Sequence, residues 1–294
     1  MPSREAEHTG SESSARGREV SETAQIGAAP SVDPKRRCTR QSTRPAVADN
    51  RRFYDALWSA SYVVSPQRFN TWPLLSTLAA AAPARLEIGP GLRPRLPIAG
   101  TYFVDVSQPA LSCLERGGGR AALAEITALP FPDRSFDVVC AFDIVEHVED
   151  DGQVFRELGR VARDDAAVIF SVPLHSARWN AFDALVGHVR RYDPDDLLSM
   201  LAAHSLVLEQ SAGFGMQPRS RWLLDFAVWG LTRRRVQAMR WYNRLFLPLG
   251  LRLQKRLAWV PGLIDVAPVD ELLLVCRRSR RAMLQTAAHQ DQHA

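Results

Sequence analysis

The feature that most constrains this chain is one stretch, Ala84 to Asp105, reading ARLEIGPGLRPRLPIAGTYFVD. An apolar run ends at Glu87, and the turn Gly89-Pro90-Gly91 follows at once. A second apolar run, Tyr102 to Val104, then delivers Asp105, eighteen residues after Glu87. Acidic residues at the ends of two neighbouring parallel strands, with glycines between, suit a nucleoside ligand. The glycines let backbone approach the ligand, and the second carboxylate accepts hydrogen bonds from ribose hydroxyls. Taken alone, the stretch reads equally well as a plain turn between two strands.

The rest of the chain decides between these readings. Strands are expected at Arg85–Ile88, Thr101–Val106, Ala121–Ala124, Phe136–Phe142, Ala167–Val172, Leu206–Ser211 and Glu271–Cys276. Phe136 to Phe142 is almost continuously apolar, the mark of a strand buried on both faces. Helices are expected near Ser107–Leu114, Asp150–Ala162 and Pro194–Ala203. The alternation predicts an α/β fold: a Rossmann-like, seven-stranded, mostly parallel sheet with helices on both faces and an antiparallel last strand. Pro94 and Pro97 stand where such a fold starts its first crossover helix, and they limit it to about a turn.

Around this domain, expected at 83–280, residues 1–48 carry almost no large apolar side chains. They read as a disordered tail, as do residues 281–294. Two cap helices are expected at 49–82, either as a flap over the ligand mouth or as a cover for one sheet face. Of 37 basic residues only Lys35 and Lys255 are lysines. That bias reads as a coding preference, and no nucleic-acid partner is expected. The four cysteines are scattered, without metal-ligand spacing, so no metal is expected and a reduced, cytoplasmic setting is. No apolar stretch resembles a signal peptide or is long enough to span a bilayer.

The order LEIGPG, FVDVS, ITALPFPDRSFDVV and FDIVEHV resembles the class I S-adenosylmethionine-dependent methyltransferases, in particular the methyltransferase type 11-like group related to ubiquinone and menaquinone methyltransferases. The resemblance covers about Arg85 to Phe214. It implies S-adenosyl-L-methionine as cofactor and a role for each matching residue. Glu87 would order the glycine loop and hold the amino-acid end of the cofactor. Gly89 and Gly91 would let its methionine part lie against backbone. Asp105 would bind the ribose, Val106 pack on the adenine, and Glu125 with the Ile126 backbone N–H meet the adenine edge. Asp143 would border the methionine end, and Glu146-His147-Val148 would begin the next helix. Two departures stand out. Arg93 replaces the third loop glycine, and Asp164-Asp165-Ala166 replaces a Pro-Gly-Gly turn.

The acceptor side is less legible. Ends of parallel strands line the ligand crevice, which puts His175 and the following loop near the reacting atoms. In Gly187-His188-Val189-Arg190-Arg191-Tyr192, His188 is a candidate base, alongside His175. Arg190, Arg191 and Tyr192 are candidates for gripping an anionic acceptor. The opposing reading, that they tie the loop to the domain through salt bridges, stays open. An insertion at about 216–268 holds four of the seven tryptophans and a dense set of arginines. It suits helices at a membrane interface, a lid over a lipophilic acceptor, or a dimer contact. The expected function is methyl transfer to a small or lipid-like metabolite, with oxygen as the acceptor atom, in the cytoplasm or peripheral to the inner membrane. The alternatives are a noncatalytic cofactor-binding or interaction module and a dinucleotide-dependent reductase. The oligomeric state is not legible.

Overall fold

The computed structural model describes residues 62–215, 229–230, 232–233, 237 and 241–279. The expected tails, the first cap helix up to residue 61 and much of the insertion lie outside the described residues. The strands are β1 Arg85–Ile88, β2 Tyr102–Asp105, β3 Arg120–Leu123, β4 Phe136–Ala141, β5 Ala162–Pro173, β6 Leu206–Gly213, β7 Val260–Pro261 and β8 Glu271–Arg278. They form one sheet in the order β3-β2-β1-β4-β5-β8-β6-β7. Neighbours from β3 to β5 are parallel, and β8 runs antiparallel to both β5 and β6. The mostly parallel sheet and the antiparallel last strand agree with the sequence reading. One strand is added to the seven expected: β7, two residues long, pairs antiparallel with β6 at the edge.

Side chains of a strand alternate between faces, and the core divides accordingly. Val139 and Ala141 of β4 join Val168, Phe170, Leu272 and Leu274 on one face. There they meet Val154, Phe155 and Leu158 of one helix, Asp151–Val161, and Leu197 and Leu201 of another, Pro194–Ala203. Val138 and Cys140 turn to the other face with Ala167, Ile169, Leu273 and Val275. This second face is covered in an unusual way. Between β1 and β2 there is no helix at all, since Pro94 and Pro97 each remove a backbone donor and crowd the preceding turn. Instead α1, Trp72–Ala81, which precedes β1, lays Leu75 and Ala79 on that face. Arg85 holds its end, donating from Nη1 to the Ala79 and Ala82 carbonyls at 3.2 and 3.0 Å. Carbonyls of a last helical turn lack the usual intrahelical donors; the Ala79 carbonyl accepts besides only a long 3.4 Å bond from Ala82 N.

The remaining described helices are α2 Gln108–Arg116, α3 Asp151–Val161, α4 Ala181–Val186, α5 Pro194–Ala203 and α6 Leu247–Leu253. Three local expectations change. Glu146-His147-Val148 does not begin α3. Val145–His147 is a separate 3-10 turn, and α3 starts at Asp151, where the Asp150 side chain accepts from Gln153 N. β5 begins at Ala162, directly after α3, rather than at Ala167. The Asp164-Asp165-Ala166 segment is a bulge inside it: the register slips from Phe136↔Ala162 to Val138↔Ala167, and Asp165 takes φ 63°. Asp164 earns its place there by pairing with Arg278 at 2.7 Å.

Within the insertion, a π-helical turn, Tyr242–Phe246, runs into α6. Leu247 and Leu251 pack on Val64 and Phe69, just ahead of α1. Asn70 N donates to Gln254 Oε1 at 2.9 Å. Arg93, the residue in place of a third glycine, lies 5.0 Å from the Tyr242 ring centroid and donates to its hydroxyl at 3.2 Å. The side chain that departs from the expected loop pattern therefore links the loop to the insertion.

Candidate functional site

The glycine loop is built by two carboxylates. Glu87, buried at the end of β1, accepts from the backbone N–H of Arg95 (2.8 Å) and of Leu96 (2.9 Å). Asp105, at the end of β2, accepts from Gly91 N at 2.9 Å and from Ser107 N at 2.8 Å. Each strand end thus fixes the next turn. Gly89 and Gly91 have φ 65° and 52°, where side chains are strained. A Cβ on Gly89 would meet the Ile144 side chain at 2.2 Å. A buried ribose-type carboxylate beside a loop of bare, left-handed glycines fits the nucleoside cofactor that the sequence implies.

Beside Glu87 lies a residue the sequence reading missed. Arg95 is buried, its guanidinium 3.9 Å from the Phe69 ring centroid and 5.4 and 5.5 Å from those of Phe142 and Phe214. Burial lowers its pKa, and the nearby Asp143 and Glu87 oppose that. Burial also pushes Glu87 up to about 7, against the two backbone donors and Arg95, which favour its charged form. Asp143 sits at φ 54°, its backbone N–H held by Ser171 Oγ at 2.9 Å. Glu271, at the start of β8, is raised well above the usual carboxylate range, by burial first and then by Asp143. In its neutral form it can donate a hydrogen bond to Asp143. Arg95 and three carboxyl groups, Glu87, Asp143 and Glu271, therefore lie close together. Of the residues that the resemblance assigns to the adenine, Val106 and Glu125 are half-buried and Ile126 is buried. Glu125 contributes its carbonyl to a turn, accepting from Ala128 N at 3.1 Å.

The acceptor-side candidates divide. Asp183 in α4 is fully buried and gathers His188 Nδ1 at 2.9 Å, Arg191 Nε at 2.9 Å and Asn180 N at 2.8 Å. Arg191 also donates to the Leu174 carbonyl. Arg190 pairs with Asp151 and donates to the Glu149 carbonyl, and the Tyr192 hydroxyl donates to Asp151 at 3.1 Å. These three side chains make the loop-tying contacts that the sequence left as the opposing reading. His175, at φ 62°, has its Nε2 3.0 Å from the Val266 carbonyl. His188 lies elsewhere, beside the turn after β4. Its Nε2 is 3.6 Å from Glu146 Oε1, and its ring meets that of His147 edge-on at 4.8 Å. His147 Nδ1 is 3.1 Å from the Gly187 carbonyl. Burial lowers His147 to about 4 and lowers His188 as well, and it raises Glu146 well above the usual range.

Sequence reasoning passed over Arg95, Asp183 and Glu271. The signal for Asp183 was present: Asn180 followed three residues later by Asp183 is a capping pattern, and both capping bonds form. Arg95 and Glu271 carried no local signal, because only the tertiary fold brings β8 to the glycine loop.

Residues 86–170 match the family model described as a methyltransferase domain, Methyltransf_11. A probable S-adenosylmethionine-dependent methyltransferase of Mycobacterium tuberculosis (strain H37Rv) is 32% identical over 100 residues. That match takes in 33% of this chain and spans about a third, 36%, of that protein. Among solved structures, a SAM-dependent methyltransferase of Thermotoga maritima superposes with TM-score 0.47 at 11% identity, covering 71% of this chain and 91% of that one. A phosphoethanolamine N-methyltransferase of Haemonchus contortus gives 0.45 at 15% identity, covering 71% and 52%. Likeness at that level says nothing about substrate.

Proposed function

We propose that the chain, whose residues 86–170 match a methyltransferase domain, is a class I methyltransferase that binds S-adenosyl-L-methionine and methylates a small or lipid-like metabolite, at oxygen. The observation that carries the reading is the pair of strand-end carboxylates, Glu87 and Asp105, each holding the glycine loop by backbone N–H groups. When bound, the cofactor supplies a methyl group already activated on a sulfonium. The protein then needs to supply mainly proximity, alignment and exclusion of water. Asp105 would accept from the ribose hydroxyls, Glu125 and Ile126 would meet the adenine, and Glu87, Arg95 and Asp143 would surround the amino-acid end. Oxygen is favoured because a hydroxyl acceptor has a proton to lose, and His188, a candidate base, clusters with His147 and Glu146.

The test incubates the chain with methyl-labelled cofactor and separated aqueous and lipid metabolite fractions. Label should move into one fraction as S-adenosylhomocysteine accumulates. Binding of both cofactor forms by calorimetry without any transfer would favour the noncatalytic module. Heat from a nicotinamide dinucleotide alone would favour the reductase.

The reading extends to peripheral contact with an anionic membrane. No helix among the described residues is long and apolar enough to cross one. What supports contact is the face made by Trp241, Leu245, Leu249 and Leu253, four residues apart and all exposed, with Phe246 exposed beside them. Arg244, Arg252, Lys255 and Arg256 are exposed around them, a mixture suited to a headgroup boundary. The chain should co-sediment with anionic vesicles at low salt and release as salt rises. Failure to co-sediment at low salt removes the membrane from the proposal and leaves the lid.

A further inference from the structure

We propose that Glu146, His147 and His188 form a binding site for a divalent transition metal, zinc foremost, at the edge of the cofactor crevice. One ligand-type atom from each lies within 4.8 Å of the others. Two segments far apart in sequence make the cluster: the turn after β4 and the loop after α4. They are laced together by Val189 N donating to the Glu146 carbonyl at 2.8 Å.

The argument turns on which ring nitrogens carry protons. A backbone carbonyl can only accept, so the contact between Gly187 O and His147 Nδ1 makes that nitrogen the donor. The Asp183 carboxylate, which also accepts from Arg191, does the same for His188 Nδ1. In the neutral rings, Nε2 is then the lone-pair nitrogen of both histidines. His188 Nε2 faces Glu146 Oε1, itself an acceptor, at 3.6 Å, too far for a hydrogen bond. The other oxygen, Glu146 Oε2, is buried with no hydrogen-bond partner, in a residue only 2% exposed. A buried carboxylate with an unpartnered oxygen, facing the lone pair of His188 Nε2, needs a cation, or a proton, beside it.

The surroundings favour the cation. Metal-ligating histidines characteristically donate their other N–H to a carboxylate or a backbone carbonyl, which fixes tautomer and orientation. Asp183 and Gly187 stand in those two positions. Two imidazoles and one carboxylate match a zinc site that keeps a position open for a further ligand. Ligands about 2.0 Å from zinc stand roughly 3.3 Å apart in a tetrahedron, so the 3.6 Å pair needs little movement, and the His147 ring must close on the other two from within 4.8 Å. The open position would take an oxygen of the methyl acceptor, polarising it. That last step rests on the proposed transfer reaction, whereas metal binding does not.

The experiment uses the full, untagged chain, stripped with a chelator, exposed to zinc chloride, desalted and measured for bound zinc. Expected is about one zinc per chain, lost in Glu146→Gln and in His188→Asn, and bound at least ~10-fold more weakly in Asp183→Asn. Cobalt(II) should give the visible bands of a nitrogen and oxygen site, without thiolate charge transfer. Circular dichroism on each variant separates lost ligands from lost fold, and the cobalt spectrum of the unaltered chain decides the matter if a variant unfolds. No zinc uptake by the folded chain would overturn the proposal, leaving Glu146 as a protonated acid. So would equal uptake in folded Glu146→Gln and His188→Asn variants, or thiolate bands, which would place the metal elsewhere. S-adenosylhomocysteine binding is measured on the same samples, so that failure of the cofactor reading shows separately.

Discussion

Replacing Asp105 by alanine is expected to weaken S-adenosylhomocysteine binding by about 100-fold or more. Two losses combine. The carboxylate would accept charge-assisted hydrogen bonds from the ribose hydroxyls, each contributing roughly 1.5–3 kcal/mol. It also holds Gly91 N and Ser107 N in the unliganded protein, so its removal loosens the loop before any ligand arrives. Asp105→Asn should fall between, because an amide has one acceptor oxygen for two backbone donors. Calorimetry on the folded variants measures this directly. An Asp105→Ala affinity within about 3-fold of the unaltered chain would remove the ribose role from Asp105, given that each lost charge-assisted bond alone exceeds that.

Asp183→Ala is expected to cost about 3–5 kcal/mol of folding stability, the range for breaking a buried ion pair from one side. Its effect should far exceed that of Asp270→Ala, whose partner Arg178 is, like it, exposed. The reason lies in what is left behind. Arg191 is nearly fully buried, and without Asp183 it keeps only the Leu174 carbonyl among its named partners. His188 loses the group that fixes its tautomer, and Asn180 N loses its cap. Denaturant unfolding of both variants makes the comparison. A loss under about 1 kcal/mol for Asp183→Ala would mean that Arg191 reaches water when its partner is gone.

The legible part of this molecule is the part written locally. β1, β2, the apolar β4 and the bounds of α5 follow from periodicity, and Glu87, Gly89, Gly91 and Asp105 meet at one crevice because adjacent parallel strands bring their ends together. Asp143 was expected near them for the same reason, one residue beyond a strand already recognised, and it lies beside Arg95. What the sequence concealed depends on long-range contact. Arg95 looks like one arginine among many until Phe69, Phe142 and Phe214, from three distant segments, are seen around it. His147 and His188 are forty-one residues apart, and no spacing rule links them. Val260–Pro261 is too short a strand to show periodicity. The early start of β5 was hidden because Asp164 and Asp165 read as a turn before the strand, whereas they form a bulge inside it.

The coverage of the sheet by α1 bears on where the folding unit starts. The motifs that carry the family resemblance begin at β1, and the family match begins at residue 86. Yet Val138, Cys140, Ile169, Leu273 and Val275 are shielded by Leu75 and Ala79, which lie upstream of that point. A fragment cut at β1 would keep every residue proposed to touch the cofactor and still present a bare apolar face, a surface that invites aggregation. The minimal autonomous unit of this protein therefore reaches back at least to Trp72, and its chemistry and its solubility have different N-terminal limits.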